Sequence, residues 1–326
     1  MAGEQDAGRL VAIVVTHNRL GELKQTLARL LAADRAHLAA VMVFDNASDD
    51  GTAAWLAAHP EGRQAGARLV VETSPENLGG AGGFEAAMRR AVGRFDPDWL
   101  LLMDDDGRPE PGCLAAFHRG ARHRAEAWFA AVRNRQGEIC DMNRPWLNPF
   151  WHKRAFLTSL GRGREGFHLG SADFAAAAPR PVDGGSFVGL FLSRRAVELA
   201  GYPDGALFIY GDDVLYTLGL RAAGGRAMFD PSLRFEHACT NAPGGGGVLA
   251  PLWKVYFYHR NLTMVYRKTA GPVFFWPVLA MKWVLWRRRA RLYGADRARY
   301  LRLLRRAVRD GLRQDTAAGL AEVERM

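Results

Sequence analysis

The sequence predicts an α/β protein in which a mostly parallel sheet is flanked by helices. Apolar, β-branched runs typical of buried parallel strands recur in the first third of the chain, at 9–16, 41–44, 69–72 and 99–103. Segments whose apolar residues have helical spacing separate these runs, at 20–31, 52–58 and 82–92. Because ligands bind at the carboxyl ends of parallel strands, the polar residues after each run are the first candidates for a functional site.

Length and composition indicate a globular protein with one large domain and an appendage. The chain has 326 residues, of which 48% are hydrophobic and 24% are charged. We expect a main domain at 1–270 and a basic, aromatic-rich helical extension at 271–326. No stretch reaches the roughly 20 uninterrupted apolar residues of a membrane-spanning helix, and the run Leu10–Val15 is too short for a signal-peptide core.

The three cysteines, Cys113, Cys140 and Cys239, have no metal-ligand spacing. An odd and sparse set predicts reduced thiols in a reducing compartment rather than a disulfide framework.

Polar residues follow three of the predicted strands. Thr16 ends the first strand, Asp45 the second, and Asp104, Asp105 and Asp106 come directly after the fourth. Alternate residues of an extended segment point to the same side, so Asp104 and Asp106 could share one divalent ion, and hard oxygen ligands suit Mg²⁺ or Mn²⁺. The alternative is an acidic loop without a metal. Asp45 could accept hydrogen bonds from a base or ribose, or form only a local turn.

A second carboxylate pair, Asp212 and Asp213, lies between an apolar segment and a helical stretch. A partly buried carboxylate next to a like charge holds its proton more tightly, which suits a general base, whereas a helix cap is the structural alternative. His237 could complete the coordination of a metal held by the first aspartates, although a lone histidine is more often structural.

The segment Asn77-Leu-Gly-Gly-Ala-Gly-Gly-Phe is dense in glycine and leads into a helix. Asn77, Gly79 and Gly80 could cradle a phosphate at the helix N-terminus, and close packing of helix on sheet explains the glycines equally well. The segment matches neither the Walker pattern nor a dinucleotide fingerprint.

Taken in order, five segments resemble those of family 2 glycosyltransferases, which have the GT-A fold. They are Val-Val-Thr-His-Asn-Arg (14–19), Val-Phe-Asp-Asn-Ala-Ser-Asp-Asp-Gly-Thr (43–52), the glycine-rich segment (77–84), Met-Asp-Asp-Asp-Gly (103–107) and Gly-Asp-Asp-Val (211–214). The resemblance covers roughly 9–240. Within the family, the chain is most similar to bacterial galactofuranosyltransferases of the galactan-initiating type, and rhamnosyltransferases are similar too.

The resemblance implies a role for each candidate residue. Thr16, Arg19 and Asp45 lie at the base and ribose end of a nucleotide-sugar site to which Asp104 and Asp105 contribute. A Mn²⁺ or Mg²⁺ ion is held by Asp104, Asp106 and His237. Asp213 is the catalytic base beside Asp212. Many relatives have Glu-Asp at this pair and another acidic residue two positions on, where this chain has Leu215.

The same resemblance implies an inverting transfer of a sugar onto a glycan or lipid-diphosphate acceptor in cell-surface polysaccharide synthesis. The donor is UDP-galactofuranose, with dTDP-rhamnose as the alternative. Acceptor contacts are expected from Arg260 and from Trp151, which lies in the aromatic and basic segment 125–180. The expected location is cytoplasmic, peripheral on the inner face of the plasma membrane.

Positive charge is concentrated at the end of the chain. From Lys282 to Met326 there are thirteen Lys and Arg against five Asp and Glu, so eight of the ten net positive charges lie there. Trp and Phe beside clustered Arg indicate an interfacial helix on anionic lipid, and a helix at 296–312 should follow. A helical pair packed on the main domain is the alternative.

Two other classes fit parts of the sequence. A basic nucleic-acid-binding protein is suggested by the sequence pI of about 9.9, but a crevice lined by carboxylates would repel a phosphate backbone, so we expect no nucleic-acid partner. A nucleotidyltransferase would share the α/β fold but carry a basic, glycine-rich signature near its first strand, where this chain has Thr16-His-Asn-Arg.

Overall fold

The computed structural model of the chain describes residues 8–63, 68–239 and 248–326. Nine strands and twelve α-helices make up this part of the chain. The strands are β1 Leu10–Thr16, β2 Ala40–Asp45, β3 Leu69–Thr73, β4 Trp99–Asp104, β5 Gly107–Pro109, β6 Ala127–Arg133, β7 Arg180–Val182, β8 Leu190–Ser193 and β9 Ala227–His237. The helices are α1 Leu20–Leu31, α2 Thr52–Ala58, α3 Pro60–Arg63, α4 Gly79–Phe95, α5 Cys113–Arg119, α6 Lys153–Arg162, α7 Ser171–Phe174, α8 Arg194–Ala200, α9 Asp212–Ala222, α10 Lys254–Arg289, α11 Arg297–Arg313 and α12 Leu320–Glu324.

All nine strands form one sheet in the order β3-β2-β1-β4-β8-β6-β9-β5, with β7 paired to β9. The first four strands in this order are parallel, and β8 is antiparallel to both of its neighbours. β6 and β9 are again parallel. The prediction of a mostly parallel sheet flanked by helices is therefore confirmed, and the strands and helices predicted in the first third of the chain are all present.

The parallel strands are buried on both faces because helices cover both sides. Every residue of β1 and β2 is buried, which explains their unbroken apolar sequence. Ile13 packs in the core on one face and Val14 in the core on the other. Strong burial fixes the register of the strands, and the register sets Thr16 opposite Asp45 and Val15 opposite Asp104.

The C-terminal extension packs on the rest of the protein. α10 begins at Lys254, before the predicted boundary at residue 271, and bends at Gly271, where φ is 62°. Its first turns share a core with α11, in which Tyr256 and Leu304 are both fully buried. Tyr256 Oη also donates a hydrogen bond of 2.8 Å to Asp310 of α11. The expected helix after residue 296 is confirmed, and the division at 270/271 stays a prediction.

No helix of the described residues is both long enough and apolar enough to cross a membrane.

If α11 is part of the main core, removing one of its buried side chains should destabilise the whole protein. We expect Leu304→Ala to lower the free energy of unfolding by about 2–5 kcal/mol, because a fully buried leucine is lost and a cavity is left. Urea denaturation followed by circular dichroism measures this change. Leu292→Ala, at a side chain 48% exposed, is the matched control. A wild-type stability for Leu304→Ala would show that α11 is an independent appendage.

Candidate active site

The carboxyl ends of β1, β2 and β4 meet at one edge of the sheet and face a cavity of about 760 Å³. This cavity brings together residues from predicted segments that are far apart in the sequence. Those that line it are Thr16, Arg19, Asn77, Gly79, Gly80, Asp104, Asp105, Asp106 and His237. Trp253 and Lys254, which no motif marks, form another part of its wall.

Asp104 ends β4, and Asp105 and Asp106 form the tight turn after it, which α1 holds in place. Thr26 of α1 donates a hydrogen bond of 2.6 Å to the main-chain oxygen of Asp105. The Asp105 side chain accepts a hydrogen bond of 2.8 Å from Thr16 Oγ1. Thr16 therefore orients an aspartate, a role that its predicted place at the nucleotide does not include.

Two cationic or metal-ligating groups converge on Asp106. The Arg19 guanidinium forms an ion pair with Asp106 Oδ2 and lies 3.6 Å from Asp105 Oδ1. His237 Nε2 lies 3.0 Å from Asp106 Oδ1 on the other side. Arg19 is thus closer to the expected metal ligands than to the base-binding end where the sequence placed it.

Burial and mutual repulsion disturb the proton equilibria of this cluster. Burial, followed by the charges of Asp106 and Asp105, raises the pKa of Asp104 to about 7. Burial also raises the pKa of Asp105 to about 6, against the opposing hydrogen bond from Thr16. Burial acts in the same sense on Asp106, but its contacts with His237 and Arg19 outweigh it and lower the pKa of Asp106. The cluster would release protons if a cation bound it.

His237 is oriented for coordination from behind. Its Nδ1 lies 2.8 Å from the Asn143 amide oxygen, which can only accept, so Nδ1 carries the hydrogen. The Asn143 amide nitrogen donates to Ser186 Oγ at 2.7 Å. With Nδ1 held by Asn143, Nε2 is the ring nitrogen that a metal ion could take in place of its contact with Asp106, as in metal sites whose histidine is held by a second hydrogen bond. Asn143 was not predicted, because no motif marks it.

A carboxylate pair with an imidazole nitrogen fits a hard or borderline divalent cation such as Mn²⁺ or Mg²⁺. Burial opposes the ionisation of Asp104 and Asp106, so a bound cation would stabilise their charged forms. Among the described residues, Arg19 is the only lysine or arginine paired with the aspartate cluster. The residues present therefore suit the predicted ion.

The cysteine prediction is wrong for two of the three residues. Cys140 and Cys239 form a disulfide across 99 residues, and Cys113 is a free, buried thiol. Cys239 lies two residues after the end of β9. Because β9 runs parallel to β6, its end lies beside the turn after β6, which contains Cys140. Their ligand atoms and those of His237 lie within 4.8 Å of one another. Since the sulfurs are bonded to each other, only His237 offers a free ligand atom.

Asp45 is buried at the far end of the cavity, and one of its oxygens lacks a partner. Its Oδ1 accepts a hydrogen bond of 3.0 Å from the Ser48 amide, while its Oδ2 has no hydrogen-bond partner among the described residues. A buried acceptor without a partner is costly, so a donor group of a ligand would be stabilised here. Asp45 itself does not line the cavity, whereas its neighbour Asn46 does, so the role of Asp45 at a ligand stays a prediction.

Asn46 links the nucleotide end to the glycine-rich segment. Its side chain donates to Asn77 Oδ1 at 3.1 Å and to the Gly79 carbonyl at 2.9 Å. His17 completes this network, with Nε2 3.2 Å from the Asn77 amide nitrogen. Both residues belong to the polar segments that follow the first two strands, but no role was predicted for either of them from the sequence.

Close packing accounts for two glycines of this segment. Gly79 has φ +71°, and a Cβ atom there would lie 2.1 Å from the main-chain oxygen of Phe208. At Gly83 a Cβ atom would lie 2.6 Å from Val15. Close packing therefore explains Gly79 and Gly83. The phosphate cradle stays a prediction, with Gly79 and Gly80 lining the cavity at the start of α4.

Asp212 and Asp213 begin α9, directly after Gly211, which has φ +76°. Burial and the charge of Asp213 raise the pKa of Asp212 to about 7, and burial raises that of Asp213 to about 6. Asp213 Oδ1 also accepts a hydrogen bond of 2.7 Å from the Val214 amide. The charge of Asp212 is one of those that raise the pKa of Asp104. Neither residue lines the cavity that holds the aspartate cluster, and Asp212 lines a separate cavity of about 540 Å³.

The two predicted acceptor contacts differ in position. Arg260 is 0% exposed and donates hydrogen bonds to the carbonyls of Ala206 and Leu207, so it supports the segment before α9 and does not reach a ligand in this structure. The prediction failed because an arginine on the buried face of a helix looks like any other in the sequence. Trp151 is exposed just before α6 and stays a candidate.

The chain matches the family Glycosyl transferase family 2 over residues 11–177. It therefore belongs to this family of glycosyltransferases, the class of enzyme that the fold and the aspartate cluster had suggested.

Among its relatives is galactofuranosyltransferase GlfT1 of Mycolicibacterium smegmatis, which is 29% identical over 212 residues, or 62% of each chain. The same enzyme of Mycobacterium tuberculosis is also 29% identical and is matched over 61% of its length. The chain thus spans somewhat less than two thirds of these relatives. An undecaprenyl-phosphate mannosyltransferase of Micrococcus luteus is 32% identical over 116 residues, 35% of this chain and 44% of that protein.

Solved structures share the fold at low sequence identity. The mannosyltransferase PcManGT of Pyrobaculum calidifontis, in complex with GDP-Man and Mn²⁺, has a TM-score of 0.52 and 20% identity, covering 98% of this chain and 79% of its own. GalNAc-T7 with UDP, GalNAc and Mn²⁺ also has a TM-score of 0.52, with 12% identity over 80% of this chain and 48% of its own. These neighbours confirm the predicted GT-A fold.

The aspartate cluster predicts a stability that depends on pH and metal together. Because the pKa values of Asp104 and Asp105 lie above the ordinary carboxyl value of 3.8, their ionisation destabilises the folded chain progressively as pH rises from about 4 to about 7. Mn²⁺ should offset this penalty, so we expect it to raise Tm by about 5 °C at pH 8 and by much less at pH 5.

Asp104→Asn should raise the Tm of the metal-free protein at pH 8 and reduce the shift caused by Mn²⁺, whereas the exposed Asp296→Asn should do neither. Thermal denaturation at the two pH values measures both effects. A Mn²⁺ shift of the same size at pH 5 and pH 8 would contradict the assignment.

Proposed function

We propose that this protein is a metal-dependent, inverting glycosyltransferase that transfers galactofuranose from UDP-galactofuranose to a lipid-linked glycan in cell-surface polysaccharide synthesis. The observation that carries the proposal is the convergence of Asp106, His237 and Arg19 on one edge of the cavity. The raised pKa values of Asp212 and Asp213 at the start of α9 support it. Donor, acceptor and stereochemistry rest on likeness to the mycobacterial relatives and on the chemistry of these residues.

The proposed donor lies between Asp45 and the aspartate cluster. Asp45 Oδ2 accepts a hydrogen bond from the base or ribose, and the start of α4 at Gly79 and Gly80 faces the phosphates. Asp104, Asp106 and His237 hold the ion, and a bound divalent cation neutralises the charge that grows on the departing diphosphate. Two fold neighbours were solved with Mn²⁺, which supports this choice of ion.

The proposed reaction is a single displacement. Asp213 accepts the proton of the acceptor hydroxyl, whose oxygen attacks the anomeric carbon from the face opposite the nucleotide, so the configuration inverts. A second nucleophile for a double displacement is not apparent among the described residues that line the cavity. Arg19 stays close to the leaving group, where its charge assists departure.

The proposed acceptor is a lipid diphosphate glycan at an anionic membrane surface. A relative's name includes undecaprenyl phosphate, and the outer face of α10 exposes apolar side chains next to clustered arginines. A peripheral position on the inner face of the plasma membrane follows. Because the extension shares its core with the first turns of α10, deleting residues 271–326 would unfold more than the extension, and point substitutions are the better test.

The donor is tested by nucleotide release. We expect purified protein with Mn²⁺ and a lipid-diphosphate glycan to release UDP from UDP-galactofuranose and nothing from dTDP-rhamnose, with the release abolished by EDTA. Release from dTDP-rhamnose alone would keep the enzyme class and make the rhamnosyltransferase alternative correct. Activity that persists in excess EDTA would contradict the metal-dependent scheme.

The general base is tested by substitution and pH. We expect Asp213→Asn to lower kcat by about a thousandfold, and Asp212→Asn by less than about tenfold. Because the base must be ionised and the pKa of Asp213 is about 6, kcat/KM of the wild type should fall as pH drops below about 6. A larger loss of kcat in Asp212→Asn than in Asp213→Asn would assign the general base to Asp212, whose charge also raises the pKa of Asp104.

A further inference from the structure

Five cations near the end of α10 lack an acidic partner. Among the residues that the structure describes, Lys282, Arg287, Arg288, Arg289 and Arg291 form no ion pair with a carboxylate. On α11, Arg306 and Arg309 pair with Asp310, while others such as Arg305 are also without an ion pair but do not line a common cavity with these five. We call these five residues the tail cations. Unpaired charges packed this closely repel one another, so an anion would be stabilised among them.

A cavity of about 390 Å³ gathers these charges against aromatic rings. All the tail cations except Arg287 line it, together with Tyr258, Tyr266 and Trp286. Lys282 is only partly exposed, and its ammonium group lies 5.5 Å from the Tyr266 ring centroid. Burial, followed by the charge of Arg289, lowers the pKa of Lys282, so this lysine in particular gains from a bound anion.

A second, mostly apolar cavity of about 560 Å³ shares a wall with the first. The shared residues are Leu262, Tyr266 and Lys282. The rim of the apolar cavity includes Met281, which is 53% exposed on the surface of α10. A molecule with an anionic head and a hydrocarbon chain could therefore fill both cavities and leave through the side of α10.

That side of α10 is itself apolar. Val273, Phe274 and Trp276 are 74%, 43% and 60% exposed, in the turns just before the cavities. Apolar and aromatic side chains beside clustered cations are typical of a helix that lies in the interface of an anionic membrane. The hydrocarbon chain of a ligand held in the cavities would meet the bilayer at this surface.

A tyrosine pair joins the wall of the basic cavity to the segment that leads into α9. Tyr258, which lines the cavity, packs edge-on against Tyr210 with ring centroids 5.5 Å apart. Tyr210 lies two residues before Asp212, at the start of α9. A group attached to an anion in the cavity could extend along this tyrosine pair toward Asp213.

We propose that the cavity formed by Lys282, Arg288, Arg289 and Arg291 binds the phosphate head of a polyprenyl-type lipid, whose chain occupies the adjoining apolar cavity. This assignment rests on the proposed function and names the acceptor's anionic subsite within it. In this proposal the four cations contact the acceptor phosphate, a contact that had been predicted from the sequence for Arg260, which is buried.

The test is co-sedimentation of the full chain with phosphatidylcholine vesicles, with and without a minor fraction of polyprenyl phosphate. We expect binding only with polyprenyl phosphate, and a loss of about tenfold or more in Lys282→Gln/Arg289→Gln. The control pair Arg297→Gln/Arg305→Gln removes the same charge at exposed arginines outside the cavity and should cost about twofold or less. Equal losses in the two pairs would overturn the site, since diffuse attraction depends on charge alone.

Two further measurements are needed. The first distinguishes a lipid phosphate from a free phosphate anion, and the second distinguishes failure of the lipid site from failure of the proposed function. Free pyrophosphate should not displace the protein from polyprenyl phosphate vesicles, because it has no chain for the apolar cavity; full displacement would show a site for the free anion and overturn the lipid assignment. UDP binding, measured by calorimetry, should be unchanged in both variant pairs. A wild type that binds these vesicles but not UDP would refute the proposed glycosyltransferase donor site and leave the lipid site standing.

Discussion

Repulsion among buried carboxylates is the constraint on which the site depends. Asp104 is the last residue of a strand whose other residues are all buried, and Asp105 and Asp106 follow it directly, so water solvates the three carboxylates poorly. Each neighbouring element supplies a group that makes this tolerable. Thr16 donates from β1, Arg19 from the loop before α1, and His237 approaches from the end of β9. The cation that the cluster still needs is the same one that the proposed chemistry requires.

The groups that surround the aspartates come from two parts of the sheet, one with parallel strands and one with mixed strand directions. The parallel half, β1 to β4, presents the carboxyl ends of its strands to the donor side of the cavity. The mixed half brings β9 beside β6 and β5, and so carries His237 to the aspartates. The turn after β6 contributes Asn143 and Cys140, both of which contact His237 Nδ1, and Cys140 is bonded to Cys239. The family match at 11–177 ends before both His237 and the pair at the start of α9.

The parallel half could be predicted from sequence because its signals are local. Continuous apolar runs mark buried strands, and polar residues at their ends mark the site edge, as at Thr16 and Asp104. The mixed half offered no such pattern, since β5 and β7 have only three residues each and β8 has four. Long-range contacts were equally hidden: the disulfide joins residues 99 apart, and nothing in the sequence distinguished a buried Arg260 from a solvated one. Those features follow from tertiary packing, which sequence periodicity does not report.

The position of β9 has a consequence for how the protein is made. His237 and Asp106 are 131 residues apart, and β9 is the last strand of the sheet to leave the ribosome although it pairs with β5, β6 and β7. Pairing at such separation is slow because the loop entropy is lost before the contacts form. A nascent chain that has already folded its first four strands would therefore hold the aspartates without the histidine. Completion of the proposed metal site would therefore wait for the pairing of β9.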